Sequence, residues 1–462
     1  MMPTLADAII QQDLHTTQQM LRHEDINALD EYGFTPLVEA AIVDSVKMSK
    51  FLLEQGANPN LQDVTGAISL HWAVENNNLE LCELLLKNGA NPNAYNLAGQ
   101  PVLVMPTLRR QLDLKRLLIS HGADQVFADD YINTKLLGHM FELVGNVDIV
   151  TPDNKYVDVD FEGFFLEITL GLISDSLFHF QNHFAARNLR RYSSLSQTIV
   201  QIMQRAARLI KFQQYQVNLA KHIQEIDQLV EQDPCIIPVG YEGHAITFIR
   251  FGDLWVKCDR REDSRLYDNV MIYRITRKEA LTKDFLKSLI YVKQSDEFIN
   301  QELDKVLGLQ PVTEIKVDAQ ISGNCSWANV EATIPALFFL ILVQINKDEK
   351  SIHYSKTLAI NYFNRWREWN KDRALHLCID SFKQGDAIRK ASKAEILAAI
   401  LFQGCQKNNV LDQQRQQAIL SVLAGSKYEY VLKNYLQIYY YQSNTEEGRL
   451  FFELMKEYKV ID

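Results

Sequence analysis

Cysteine is scarce in these 462 residues: Cys82, Cys235, Cys258, Cys325, Cys378 and Cys405 are scattered, with no C-x-x-C pair and no metal-like spacing. That excludes a disulfide framework and a structural zinc, and it points to a reducing compartment. A positive-then-apolar leader is missing at the N-terminus, so no cleavable signal is expected. Long hydrophobic runs are missing too. The longest strongly apolar stretch, Ile334 to Val343, is half a membrane span and reads as a buried helix, so no membrane partner is expected. Positive charge is in deficit, with a formal net charge of −10. Phosphate contacts need clustered Lys and Arg, so direct nucleic-acid binding is not expected. The one basic run, Arg187 to Arg191, reads as a solvated helix face. What remains is an ordinary globular composition, 47% hydrophobic, in a chain long enough for two to four domains with sizeable cores.

What is present is a repeat. Gly33, Gly66 and Gly99 stand 33 residues apart, and so do Gly56, Gly89 and Gly122. Around the first series lie Gly33-Phe-Thr-Pro-Leu37 with Ala40-Ala41, and Gly66-Ala-Ile-Ser-Leu-His-Trp-Ala73. Around the second lie Leu52-Leu53-Glu-Gln-Gly-Ala-Asn-Pro-Asn60, Leu85-Leu86-Lys-Asn-Gly-Ala-Asn-Pro-Asn93 and Leu117-Leu-Ile-Ser-His-Gly-Ala-Asp124. Each glycine supplies a positive φ where a helix ends or a turn tightens. Small Ala residues let paired helices approach, and the Leu pairs fill the interface with the next repeat. The pattern resembles about four ankyrin repeats. Residues 3–30 keep only helical character, as a capping repeat does. Pro106 replaces the Ala of the other repeats, which predicts a short or distorted helix there.

Thr151 to Gly163 is polar and turn-rich and reads as a boundary. Helices are expected over 164–231, Leu195 to Val230 having apolar residues at three- and four-residue spacing. His179 and His183 are four apart but lack the carboxylate of a metal-binding helix, so no metal is expected. Short β-rich runs follow: Ile236–Val239, His244–Phe251, Leu254–Cys258 and Val270–Ile275. Gly252-Asp253 between the middle two predicts a two-residue hairpin. In that register Phe251 faces Leu254 and Ile246 faces Asp259. His244 and Asp259 are then diagonal neighbours on one face, about 7 Å apart, and Cys258 points to the other. Asp253 belongs to the turn. Asp263 lies on the right face but pairs beyond the start of the His strand, which makes it the weaker candidate.

Downstream, Gln320-Ile-Ser-Gly-Asn-Cys-Ser-Trp-Ala-Asn329 makes a turn and then opens a buried helix at Cys325. A helix N-terminus stabilises a thiolate and an oxyanion, and Gln320 could supply a second oxyanion donor. The Gly-Asn-Cys-Ser-Trp-Ala string resembles the nucleophile helix of papain-type proteases. The order His…Asp…Gln…Cys is similar to that of the Ulp and adenain type, a group that includes proteases of ubiquitin-like proteins and YopJ-type acyltransferases. The sequence departs from that group in having Gln-x4-Cys in place of Gln-x5-Cys. The resemblance implies roles: Cys325 as nucleophile, His244 as its general base, Asp259 orienting His244, and Gln320 with the Cys325 N–H binding the oxyanion. No cofactor is expected.

Helices are expected again from His353 onward: Trp366–Leu377, Lys393–Gln403, Asp412–Leu423, Tyr428–Tyr441 and Glu446–Tyr458. The expected layout is therefore multidomain. An all-α ankyrin solenoid spans 1–145. An α+β papain-like thiol protease domain spans 150–345, helical over 164–231 and catalytic over 236–345. An all-α C-terminal cap spans 346–462. This combination is similar to the ankyrin H effector family of Legionella. The resemblance implies a protein secreted by the Dot/Icm type IV system into the host cytosol and nucleus. It also implies that the repeats hold a host protein, a nuclear ribonucleoprotein component of transcription-elongation control. Two alternatives stay open: a catalytically silent scaffold, or a YopJ-like acyltransferase.

Overall fold

A computed structural model describes residues 4–213, 219–241, 243–260, 270–319, 323–346, 351–406 and 409–461. Contacts divide the chain into two units. The first holds the residues up to 134 and a hairpin at 146–160; the second holds 135–145 and almost all the rest from 161.

The first unit is a stack of helix pairs: Leu5–Ile10 with Leu14–Met20, Pro36–Ile42 with Val46–Glu54, Ser69–Glu75 with Leu79–Lys87, and Val104–Leu108 with Leu112–Ser120. Local chemistry starts several of these helices. Thr35 Oγ1 accepts the Val38 N–H, and Pro36 takes the first helical position where its missing N–H costs nothing. Asn78 Oδ1 accepts the Leu81 N–H in the next repeat. The helix containing Pro106 has five residues where its counterparts have seven. Leu52, Leu85 and Leu118 recur at the repeat period and are fully buried.

The repeats are also stitched by asparagine. Asn27 Oδ1 accepts the Asn58 N–H at 2.9 Å, Asn60 Oδ1 the Asn91 N–H at 2.7 Å, and Asn93 Oδ1 the Asp124 N–H at 2.7 Å. Asn60 and Asn93 also donate to the carbonyls of Gly89 and Gly122, each at 2.8 Å. Asn27, Asn60 and Asn93 therefore hold one place in successive repeats, and each reaches into the next.

The segment read as a boundary holds the second strand of a hairpin, and the division between the two units falls within it, after residue 160. Strand β1 (Asn146–Val150) pairs antiparallel with β2 (Tyr156–Asp160), Val150 opposite Tyr156. Their inward residues Ile149, Val157 and Val159 are buried. The hairpin packs on the turn of the third repeat at Gly99, whose φ is +71° and where a Cβ would lie 2.8 Å from the Asp158 carbonyl oxygen. The polar alternation that suggests a linker is the solvent face of these two strands.

The second unit combines helices with a five-stranded antiparallel meander in the order β3 (Cys235–Tyr241), β4 (His244–Phe251), β5 (Leu254–Cys258), β6 (Val270–Ile275) and β7 (Leu309–Ile315). Helices Leu166–Asn182 and Ser193–Lys211 pack against each other, and the second also packs on β3. Helix Cys325–Glu331 lies on β4 and continues through Thr333–Asn346, whose apolar side chains fill the core. That stretch is long and apolar enough to cross a membrane, but it is 78% buried inside the protein, as a core helix is. The C-terminal helices belong to this same unit. The first, Ser351–Gln384, packs on Thr333–Asn346 and on Leu166–Asn182. Its Trp366 indole donates to Ser176 Oγ at 3.0 Å, and Ser176 donates to Asn370 Oδ1 at 2.8 Å.

Candidate active site

The β4–β5 hairpin has the register its two-residue turn dictates. Phe251 faces Leu254 and Thr247 faces Cys258. His244 opens β4, and Asp259 follows β5 directly. The pairing ladder ends at Thr247–Cys258, so both side chains project from the open end of the hairpin. There His244 Nε2 meets Asp259 Oδ1 at 3.2 Å. The two side chains are only 15% and 10% exposed. The Tyr241 ring of β3 packs edge-on against the imidazole, with centroids 5.5 Å apart.

Cys325 comes from the far side of the sheet sequence, at the first position of the helix that lies on β4. Gly323 and Asn324 turn the chain into that helix. Gly323 has φ +79°, a conformation L side chains rarely adopt, and a Cβ there would fall 2.0 Å from the Glu162 carboxyl carbon, so the turn favours glycine. Asn324 is tied down by its amide, which donates to the His139 carbonyl at 3.2 Å. Trp327 is buried and stacks on the His139 ring at 5.7 Å.

The structure thus brings Cys325, His244 and Asp259 together: His244 is hydrogen-bonded to Asp259, and Cys325 lies near enough to His244 for their ionisations to couple. Gln320 lies outside the described residues, as does Asp263. Electrostatics polarise the pair. Burial works against the His244 cation, yet hydrogen bonds to Asp259 and Cys325 outweigh it and push its pKa up to about 9. Burial likewise disfavours a thiolate at Cys325. Hydrogen bonding to His244 and to the backbone N–H of Ala245, the His244 charge and the Ser326 N–H together hold the thiol below its ordinary value. Every other cysteine with a shift moves the opposite way: burial pushes Cys82, Cys235, Cys258 and Cys405 up. Among the cysteines with a shift, Cys325 is thus the one whose surroundings favour the thiolate.

Residues that the sequence reading did not single out hold the helix against the hairpin. Asn329, one turn beyond Cys325, donates through Nδ2 to the Ala245 carbonyl at 2.6 Å and accepts the Arg260 N–H at 2.7 Å. The Arg260 guanidinium is fully buried and meets Glu331 at 2.6 Å and Glu142 at 3.3 Å. Arg367 reaches the same two carboxylates at 3.4 and 3.0 Å. Alternating charges on Arg260, Glu331, Arg367 and Glu142 satisfy one another away from water. Only the charge of these residues is visible in a sequence, and nothing in their spacing marks them. His183 sits past the helix end, where its Nδ1 accepts the Ala185 N–H at 3.1 Å. Among the described residues, no group of three or more His, Cys, Asp or Glu could hold a metal ion.

Comparison with known proteins bears on the two units differently. An ankyrin-repeat family profile matches residues 5–96 in three copies. The human transient receptor potential cation channel subfamily A member 1 is 42% identical over 57 residues, which is 12% of this chain and 5% of that channel. The solved structure of the Legionella effector AnkH superposes with a TM-score of 0.85 and 40% sequence identity, covering 98% of this chain and 97% of that one.

Proposed function

From the premise that the chain belongs to the AnkH family of Legionella effectors, we propose that it is a translocated effector whose ankyrin repeats hold a host protein while a papain-like Cys-His-Asp site acts on it as a thiol hydrolase. The observation that carries the reading is His244, hydrogen-bonded to Asp259 and coupled in its ionisation to Cys325. With Nε2 engaged by Asp259, Nδ1 is the nitrogen that serves the thiol. The Cys325 thiolate attacks a carbonyl carbon, and the His244 imidazolium protonates the departing amine, leaving a thioester on Cys325. Water then adds, giving its proton to His244, and the acid is released as the pair regenerates. Asp259 holds the imidazole in its tautomer and balances its charge throughout. Gln320 and the Cys325 N–H are the proposed oxyanion donors.

The test is alkylation of each cysteine by iodoacetamide across pH, read by mass spectrometry. Cys325 is expected to react well below pH 7, and His244→Ala to abolish that reaction. A Cys325 that follows an ordinary thiol profile, near pKa 8.5, would sink the enzyme reading and leave a scaffold. The repeats are expected to retain a host nuclear protein whether or not Cys325 is intact. The family resemblance points to ribonucleoprotein machinery of transcription elongation, and co-purification from nuclear extract with the Cys325→Ala chain checks it.

A further inference from the structure

Along the β4–β5 hairpin, pairs of one type recur every second residue: Phe251–Leu254, Ile249–Val256 and Thr247–Cys258. In a two-residue hairpin these are the pairs that exchange both N–H···O bonds. The next in the series is Ala245–Arg260, immediately beside His244 and Asp259. That pair does not close. The ladder stops at Thr247–Cys258, and the amide of Asn329 occupies the gap. Its Nδ2 donates to the Ala245 carbonyl at 2.6 Å, and its Oδ1 accepts the Arg260 N–H at 2.7 Å. One direct bond of about 2.9 Å has become two bonds with a carboxamide between them. The Ala245 N–H, which the closed ladder would give to Arg260, instead helps to hold the Cys325 thiol below its ordinary value.

We propose that Asn329 is a positioning residue that wedges the hairpin open, holding His244 and Asp259 at their diagonal spacing beside Cys325. The proposal rests on the thiol-hydrolase reading of Cys325, and it goes beyond the triad by assigning how the triad is spaced. Three features support it. Asn329 is completely buried, and both polar ends of its amide are used on backbone groups. It stands four residues after Cys325, so one helix face carries the nucleophile and the wedge. The residues it holds are the immediate neighbours of His244 and Asp259. An asparagine suits the task because its planar amide offers both N–H donors and a carbonyl acceptor on one short side chain.

The test is the pH profile of Cys325 alkylation in the full chain, comparing wild type, Asn329→Asp and His244→Ala, with thermal unfolding as the measure of fold. Asn329→Asp keeps the size and the acceptor for Arg260 but loses the donor to Ala245. The midpoint of Cys325 alkylation is expected to rise by about one unit, a roughly tenfold slower reaction at pH 6, in a folded chain. His244→Ala should remove the acidic reaction altogether. If Asn329→Asp fails to fold, Asn329→Ser is measured in its place and the same shift is required. A low wild-type midpoint with an unshifted variant overturns the wedge and leaves the enzyme reading standing. An ordinary wild-type midpoint overturns both.

Discussion

At the scale of single residues, the site depends on charges that stabilise one another in a partly dry place. Asp259 contributes through His244, so Asp259→Asn should lower the His244 pKa by about one to three units and carry the Cys325 alkylation midpoint upward with it. The same iodoacetamide series checks this; an unchanged midpoint would remove Asp259 from the site. The pH dependence of stability has a definite sign. His244 titrates higher in the folded chain than its ordinary 6.5, so its pairing stabilises fully below that value and is lost as pH rises through about 9. Cys325 runs the other way: its contribution is present above the ordinary thiol range and lost as pH falls through its lowered pKa. With Cys325 replaced by Ala, so that only the His244 titration remains, the melting advantage of His244 over His244→Ala should therefore shrink as pH rises above 7, measured by calorimetry. Gly323 is the other exacting residue. Gly323→Ala must adopt a left-handed φ, at about 1–2 kcal/mol, and displace the Glu162 carboxylate, so a lower melting temperature and a slower Cys325 are both expected.

Between elements, the bonds that matter are those tying the nucleophile helix to the hairpin. Arg260→Met leaves Glu331 and Glu142 buried with Arg367 alone between them, and breaking a buried pair costs about 3–5 kcal/mol. Urea unfolding should show a loss of that order; a neutral result would mean that Arg367 suffices. Much at this scale is legible in the sequence. The turn Gly252-Asp253 dictates the hairpin register, and with it the shared face of His244 and Asp259. The helix beginning at Cys325 is announced by Gly323-Asn324 and the apolar run behind it. Two things are not legible. Strand β7 is an edge strand, mostly exposed and containing Pro311, so it has neither the alternation nor the composition of its neighbours. The role of Asn329 exists only where a ladder ends, and sequence alone records no ladder's end. The 33-residue glycine period finds the repeats, whereas the hairpin at 146–160 hides behind turn-forming polar residues.

On the scale of the whole molecule, the ankyrin unit behaves as a stack whose stability sums over neighbouring contacts. The Asn27, Asn60 and Asn93 ladder is part of that sum. Asn60→Ala should cost about 1 kcal/mol per hydrogen bond lost, and Asn60→Ala with Asn93→Ala nearly the total of the two, since each spans a different junction. Guanidinium unfolding of the isolated repeats measures both. A fragment ending at residue 160 should outlast one ending at 124 in the same denaturant, because only the longer one keeps β2 against Gly99.

That hairpin bears on how such a protein can evolve. A solenoid usually lengthens by duplicating a repeat at either end or in the middle. Here the third turn is already covered by β2, so an extra repeat inserted after it would have to displace the hairpin. Relatives with longer arrays should therefore have gained their repeats upstream of Gly99, in multiples of 33 residues, and kept the glycine and its covering strand together as one inherited piece.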